Sequence, residues 1–382
     1  MKIATVDCFV LSTDLETPFA FSQGWVHRRS ATLVRITTDD GICGWGEAFA
    51  QGLEPPQIAA AVIEHALTPL VLGKNPLDTA VLWQSMYTKT RDYGRKGSVI
   101  SAISAIDTAL WDICGHYYQQ PVYQLLGGPF RTSVQPYATG FYRIEGRNEA
   151  PRLADEAIAH RDAGFKAMKV KLGFGVSDDI RVMSEINKAL NDPEIELMVD
   201  SNHAYGRSEA LKLGRALEDY NLRWYEEPVV PEDIAGYQEL RQKLNIPIAG
   251  GENEHTPYGF HQLFSADAVD IAQPDIGSCG GITAVRDIAA MAQASGIAVN
   301  PHVWGSAVAQ AASLQVIAAL PVPHHSLFAK EPVLEYDRSS HPFRQQLISE
   351  PWEMKQEMIS IPGGPGLGIE VRMDIVKQYQ IN

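Results

Sequence analysis

The chain has 382 residues, 45% hydrophobic and 20% charged, a composition that suits a globular protein with a sizeable core. Its formal net charge, 32 − 46 = −14, argues against nucleic acid or an anionic membrane as the main partner. It leaves small anionic substrates open, because a metal ion and local lysines can reverse the field at one site.

Residues 1–50 predict an antiparallel sheet. Lys2–Leu11 and Ser30–Thr38 read as strands, and Asp39-Asp40-Gly41 turns the second into Gly44–Glu47. Between them, Glu16–Arg29 reads as a long loop that mixes aromatics with cations and closes over a pocket as a lid. Within it Trp25, His27, Arg28 and Arg29 are candidates for the distal end of a substrate, arginine being suited to a second carboxylate. The opening residues read as strand rather than signal peptide, and no uncharged run marks a membrane span. Cys8, Cys43, Cys114 and Cys279 form no C-x-x-C pair and no metal-ligand spacing, so they read as reduced thiols of a cytoplasmic protein.

Residues 56–126 read as helical. The clearest helix is Ser98–Tyr118, with Ile100, Ile103, Ile106, Ala109, Leu110 and Ile113 at helical spacing and alanines that permit close packing. Leu125-Leu126-Gly127-Gly128 stops this part. From about residue 132 the rhythm becomes strand–helix repetition, which predicts an α/β barrel. Strands fall at Val134–Ala138, Ala167–Leu172, Glu196–Asp200, Leu222–Glu226, Ile248–Glu252, Ala268–Gln273 and Ile297–His302, with a last one at Leu327–Glu335. Helices fall at Glu149–Ala163, Asp178–Leu190, Ser208–Tyr220, Tyr258–Ser265, Ile282–Ser295 and Ala307–Ala319. After Glu335 the rhythm is lost, and the remaining residues are expected to fold back onto the first domain. The predicted domains are therefore 1–128, 129–335 and 336–382.

Three acids carry the chemistry. Asp200, Glu226 and Glu252 each end an apolar run, and they lie 226 − 200 = 26 and 252 − 226 = 26 residues apart. That is the length of one strand–helix unit, so the three sit at neighbouring strand tips, where barrel enzymes place their active sites. Three converging carboxylates repel unless a cation sits among them, and hard oxygen ligands suit Mg²⁺. Lys169 and Lys171 end the second barrel strand on one face, and each is expected to depress the other's pKa. Asp275 and His302 are 302 − 275 = 27 residues apart, again one unit, so the carboxylate is expected to orient the imidazole for acid/base work.

These residues, with Asp107–Asp112, Leu125–Gly128, Glu226-Glu227-Pro228, Gln273-Pro274-Asp275, Pro301-His302 and Leu334-Glu335, closely resemble the mandelate racemase subgroup of the enolase superfamily over the whole chain. The resemblance implies a modified TIM barrel, (β/α)₇β, with an N-terminal α+β capping domain completed by the C-terminal segment. It implies Mg²⁺ held by Asp200, Glu226 and Glu252, with Lys171 and His302 as opposed acid/base groups, a pairing of base and Mg²⁺ familiar in that superfamily. Lys169 would assist Lys171, Asp275 would orient His302, and Glu335 would donate a hydrogen bond to the enediolate. Asn202 and Tyr137 would contact the substrate, and the chain would form a homo-oligomer. Within the subgroup, Glu16–Phe19, Tyr137–Gly140, Glu227–Glu232, His302–Gly305 and Pro342–Gln345 resemble the galactarolactone cycloisomerase type. That type opens an aldarolactone by β-elimination to a 3-deoxy-2-keto acid. The Asn253-Glu254 pair and the segment Gln23–Arg29 depart from it. Galactonate- and mannonate-type dehydratases carry a histidine where this chain has Asn202, and residue 203 is expected to point the other way along a strand. An acid-sugar dehydratase of the galactarate or glucarate kind and a 2-hydroxy acid epimerase are the alternatives. An inactive binding protein would lack a ligand or a base, and none is missing.

Overall fold

The computed structural model describes residues 1–382 except 51, 52, 147, 323, 325, 328 and 382. The chain opens with a three-stranded antiparallel sheet, β1 (Ile3–Phe21), β2 (Gly24–Thr38) and β3 (Cys43–Ala48). The helices α1 (Gln57–Ala61), α2 (Thr68–Val71), α3 (Thr79–Thr90), α4 (Ser98–Tyr118) and α5 (Val122–Leu125) follow. The expected Ser98–Tyr118 helix is thus present with the same ends. Among the described residues it is the one helix long and apolar enough to cross a membrane, and it is buried as the core of the capping domain. Its alanines allow the approach that was expected. Gly44 and Gly46 of β3 lie so close that a Cβ on Gly46 would stand 1.9 Å from the Ala105 carbonyl oxygen.

The segment Glu16–Arg29 is not a loop. β1 and β2 run on as a long ribbon with only Ser22 and Gln23 at its tip. The pairing shifts register between Asp14 and Phe19, a bulge that holds Pro18, which has no N–H to give a ladder. Beyond the bulge, Phe19 pairs with Val26 and Ala20 with Trp25.

The barrel alternates strands and helices. After β4 (Ser133–Val134), which lies outside the barrel sheet, they are in order β5 (Pro136–Gly140), α6 (Glu149–Asp162), β6 (Ala167–Lys171), α7 (Val176–Leu190), β7 (Glu196–Asp200), α8 (Arg207–Leu217), β8 (Tyr225–Glu226) and α9 (Ile234–Lys243). Next come β9 (Ile248–Gly250), α10 (Thr256–Ser265), β10 (Ile271–Ala272), α11 (Gly281–Ala294), β11 (Ala298–Val299), α12 (Ala307–Ala319) and β12 (Leu334–Asp337). The sheet order is β11-β10-β9-β8-β7-β6-β5-β12, and every ladder in it is parallel. Among the described residues no ladder joins β11 to β12. Side chains span that seam instead: the Val333 N–H donates to Asn300 Oδ1 at 2.8 Å and the Val303 N–H to Glu335 Oε2 at 3.1 Å. This is a TIM-type barrel with an α+β cap.

Two expectations fail here. The last strand is Leu334–Asp337, not Leu327–Glu335; Leu327 is 95% exposed, and Phe328 lies outside the described residues. Helix α9 was not expected from sequence, because its weakly segregated run Ile234–Lys243 carries little helical stripe. The C-terminal stretch holds α13 (Pro342–Gln345), β13 (Met354–Lys355), β14 (Met358–Ser360) and α14 (Met373–Tyr379). It does return to the first domain, where the Ile381 N–H donates to the Val10 carbonyl. On the way, β13 and β14 join β4 in a separate three-stranded antiparallel sheet.

Candidate active site

The parallel register sets the acids side by side. Lys171 of β6 pairs with Asp200 of β7, and Asp200 pairs with Glu226 of β8, so all three lie on one rung. Glu252 lies two residues past β9, after Gly251, whose left-handed backbone (φ +121°) turns the chain there. One carboxylate oxygen from each of Asp200, Glu226 and Glu252 lies within 4.8 Å of the others, and all three residues are buried. The expected convergence is therefore present, and this triad could hold a metal ion. Burial pushes Glu226 up, and Asp200, Glu335 and Glu252 push it further, to about 7, although Lys169 pulls the other way. Glu252 Oε2 is buried and accepts no hydrogen bond. A polyvalent cation would answer both the repulsion and the orphaned oxygen.

The lysines interleave with these acids. Lys169 Nζ stands 2.5 Å from Glu226 Oε1 and 2.9 Å from Glu335 Oε1. Lys171 Nζ stands 2.5 Å from Asp200 Oδ2 and donates to Asn202 Oδ1 at 3.0 Å. Lys169 does depress Lys171 as expected, but it does not set the net direction. Burial and Lys169 lower Lys171, but Asp200, Glu252 and Glu226 outweigh them and hold it above its ordinary value. The neighbouring lysine is simply outnumbered. Lys169 is buried too, yet Glu226, Glu335, Tyr137 and Asp200 hold it well up.

His302 meets Asp275 as expected, Nδ1 to Oδ2 at 2.7 Å. Its Nε2 faces Glu252 Oε2 at 3.3 Å. Burial lowers the imidazole, but Glu252, Glu335 and Asp275 raise it to about 9. Lys171, Asn202, Glu252 and His302 line one cavity together with Phe21, Tyr142 and Trp304. Glu335 accepts from Lys169, from Thr139 Oγ1 at 2.8 Å and from the Val303 N–H. Burial pushes it up, but Lys169, His302 and Lys171 hold it well below the usual carboxylate range. In this arrangement Glu335 accepts three hydrogen bonds and braces Lys169.

Three expected substrate contacts stand elsewhere. Tyr137 is fully buried in the barrel interior, edge-on to Trp224 at 5.5 Å with Lys169 over its ring at 5.7 Å. It is under the acids rather than in the cavity, because it alternates inward with Thr139 along β5. Trp25 is 41% exposed and is absent from the cavity lining. Arg28 is exposed and faces Asp14 at 3.2 Å. Replacing Arg28 with alanine is expected to leave KM unchanged and stability within about 0.5 kcal/mol, since exposed pairs contribute little; a KM shift of tenfold would return Arg28 to the site.

Arg29 is buried instead. Its guanidinium lies 4.9 Å from the Phe19 ring and 4.8 Å from that of Trp304. It reaches Asp337 at 3.2 Å, and Arg344 reaches the same carboxylate at 2.7 Å. Trp304 Nε1 also donates to Asp337 Oδ2, at 3.0 Å, and Tyr142 Oη to Oδ1 at 3.4 Å. Asp337 thus fixes two walls of the cavity. Sequence reading noted Asp337-Arg338 only as part of the resemblance and gave Asp337 no role, yet it lies two residues past Glu335 on one strand, where strand alternation places both on one face. The same rule would have found Trp224, whose Nε1 donates to Glu226 Oε2 at 2.7 Å. Gln273 gives the same oxygen a second donor at 2.7 Å.

Asn202 faces the acids, with Nδ2 3.4 Å from Glu252 Oε1. Strand alternation does not separate it from His203, because β7 ends at Asp200 and both residues are left-handed (φ +41° and +52°). The ribbon tip reaches this turn: Ser22 Oγ donates to the Ser201 carbonyl at 2.9 Å and Gln23 Nε2 to the Asn202 carbonyl at 2.7 Å.

Two family models match. Residues 4–127 match the mandelate racemase / muconate lactonizing enzyme N-terminal domain, and residues 152–375 match the enolase C-terminal domain-like family. The chain is 41% identical over 381 residues to D-galactarolactone cycloisomerase of Agrobacterium fabrum, covering 100% of this chain and 99% of that one. A crystal structure of the 3,6-anhydro-D-galactonate cycloisomerase from Zobellia galactanivorans superposes with TM-score 0.89 at 39% identity, covering 100% of both chains. L-talarate/galactarate dehydratase, solved with Mg and L-glucarate, superposes with TM-score 0.87 at 27% identity, covering 100% of this chain and 92% of that one.

Proposed function

The chain belongs to the mandelate racemase / muconate lactonizing enzyme family of the enolase superfamily, and from that premise we propose that it opens the ring of a cyclic sugar acid, best a galactaro- or glucarolactone. The reaction removes the proton α to a carboxylate and expels the ring oxygen from the β-carbon. In a lactone that oxygen leaves as a carboxylate, and the enol that remains becomes the 3-deoxy-2-keto diacid. Atoms balance without added water, so the product is an isomer of the substrate.

One observation carries the choice of a ring. The cavity has its polar groups at Lys171, Asn202, Glu252 and His302, while Phe21, Tyr142 and Trp304 supply the rest of the wall. Arg29 lies against the Trp304 and Phe19 rings and is committed to Asp337. A lactone presents one carboxylate and a neutral ring, which suits this division. An open diacid would press a second, unpaired carboxylate against aromatic rings, at a cost of several kcal/mol.

Asp200, Glu226 and Glu252 would hold Mg²⁺, which supplies a Lewis acid that stabilises negative charge as it develops on the substrate carboxylate. Lys171 and His302 serve as the acid/base pair, one taking the α-proton and the other protonating the product. Asp275 fixes the His302 tautomer through Nδ1 and leaves Nε2 to the substrate. Lys169 and Glu335 hold each other beside the acids, and Asp200 and Asn202 hold Lys171. Asn202 is placed to bond the substrate carboxylate. The relatives act on small molecules, and a small acid-sugar lactone is the partner that this cavity suits.

Proton NMR with Mg²⁺ should show kcat/KM for a lactone at least about 100-fold above that for the matching open diacid, the factor that about 2.7 kcal/mol of unpaired charge implies. A dehydratase would reverse that ratio. Equal rates on both would remove the argument from the aromatic wall.

A further inference from the structure

Away from the acids, a cavity of about 660 Å³ opens where the segment after α3 meets the start of α10. It brings Arg91, Arg95 and Lys96 of the capping domain against His255, Thr256 and Tyr258 of the barrel. Three cations within six residues contrast with a chain of net charge −14. Among the described residues, neither Arg91 nor Arg95 stands within 4.0 Å of a carboxylate. Arg91 lies over the Tyr87 ring at 5.3 Å, and Tyr87 stacks on Tyr258 at 5.7 Å, which makes a flat apolar side. Lys96 is paired with Glu254, its Nζ 2.7 and 3.0 Å from the two oxygens, and Asp92 is the one acid within the stretch.

Helix α10 opens at this cavity with no acidic residue in its first turn and no side-chain cap; the Thr256 N–H goes to the Cys279 carbonyl and Pro257 has none, which leaves the Tyr258 amide to a ligand. A separate observation points the same way. His255 lines the cavity, and its Nδ1 is buried with no hydrogen-bond partner. A buried ring nitrogen left unpaired is completed by something the fold does not supply.

We propose that this cavity binds a small phosphate-bearing anion. Two guanidiniums free of carboxylates can grip a tetrahedral dianion from one side, and the Tyr258 amide with His255 Nδ1 from the other. Glu254 lies two residues from Glu252, so the site touches the same β9–α10 connection that carries a candidate metal ligand.

The test titrates inorganic phosphate into the Mg²⁺-supplemented full chain by calorimetry, at constant ionic strength, with acetate and chloride as comparisons. Phosphate should bind saturably and acetate should not. The Arg91→Ala/Arg95→Ala double variant should bind at least about tenfold more weakly, the loss of one charge-assisted hydrogen bond. Its turnover without phosphate should equal that of the wild type, which also shows that it folds. Lys171→Ala should keep the phosphate affinity. No saturable binding, an unchanged affinity in the double variant, or loss of binding with Lys171→Ala would each overturn the site. Equal binding of acetate would overturn the assignment to phosphate. Sedimentation of a dimer that the double variant dissolves would give the cavity to a second copy of the chain.

Discussion

Lys171→Ala and His302→Ala should each lower kcat by about 10³-fold or more while the fold persists, since a positioned acid or base contributes roughly 10²–10⁴. Removing Lys171 also leaves Asp200 without its 2.5 Å partner and Asn202 Oδ1 without a donor. Removing His302 frees Asp275 Oδ2 and exposes Glu252 to its fellow acids. These are the two polar groups that reach the cavity with a proton to exchange. The deciding measurement is α-deuterium exchange in D₂O together with turnover. Each variant should lose turnover, and the variant that retains exchange identifies the residue that is not the first base. A circular dichroism spectrum like that of the wild type is expected for both. Full turnover in either variant would end the acid/base assignment.

Asp337→Ala should destabilise the protein by about 3–5 kcal/mol, the usual cost of removing one partner from a buried charge cluster. The carboxylate is fully buried and faces Arg29 and Arg344. Burial raises its pKa, but Arg344 and Arg29 outweigh that and hold it below the ordinary value. The alanine variant would bury two guanidiniums with no counter-charge. It would also release Trp304 Nε1 and Tyr142 Oη, so KM should rise in whatever folded protein remains. Adding Arg29→Met should recover part of the loss, because one uncompensated charge goes with it. Urea unfolding of the three proteins would measure this, and a single-variant loss below about 1 kcal/mol would show that the cluster is not what holds the wall.

The barrel rim was legible because its signal is repetition. Three acids one strand–helix unit apart, each after an apolar run, admit few other arrangements, and the structure brings their oxygens together. Asp275 and His302 followed from the same period. The ribbon was not legible, since Pro18 and the charged run before it look like a loop until a bulge absorbs them. Arg29 and Arg28 are adjacent and chemically identical, yet one is walled in and the other is solvated. Only the partner 308 residues away decides between them, and sequence spacing holds no trace of that distance. Tyr137 failed for a related reason. Its motif marks a position in the fold, whereas its ring points into the barrel interior.

The ribbon tip grips the rim through the carbonyl oxygens of Ser201 and Asn202. A carbonyl is common to all twenty residues, so the grip itself uses no side chain at position 202, although the left-handed backbone there favours residues such as asparagine. Among residues that accept this backbone, the side chain at position 202 can therefore change while the ribbon tip stays seated in the same place. Closure and reaction choice are in this sense separately inherited parts. A scaffold built so can change chemistry by single substitutions without having to invent its lid again.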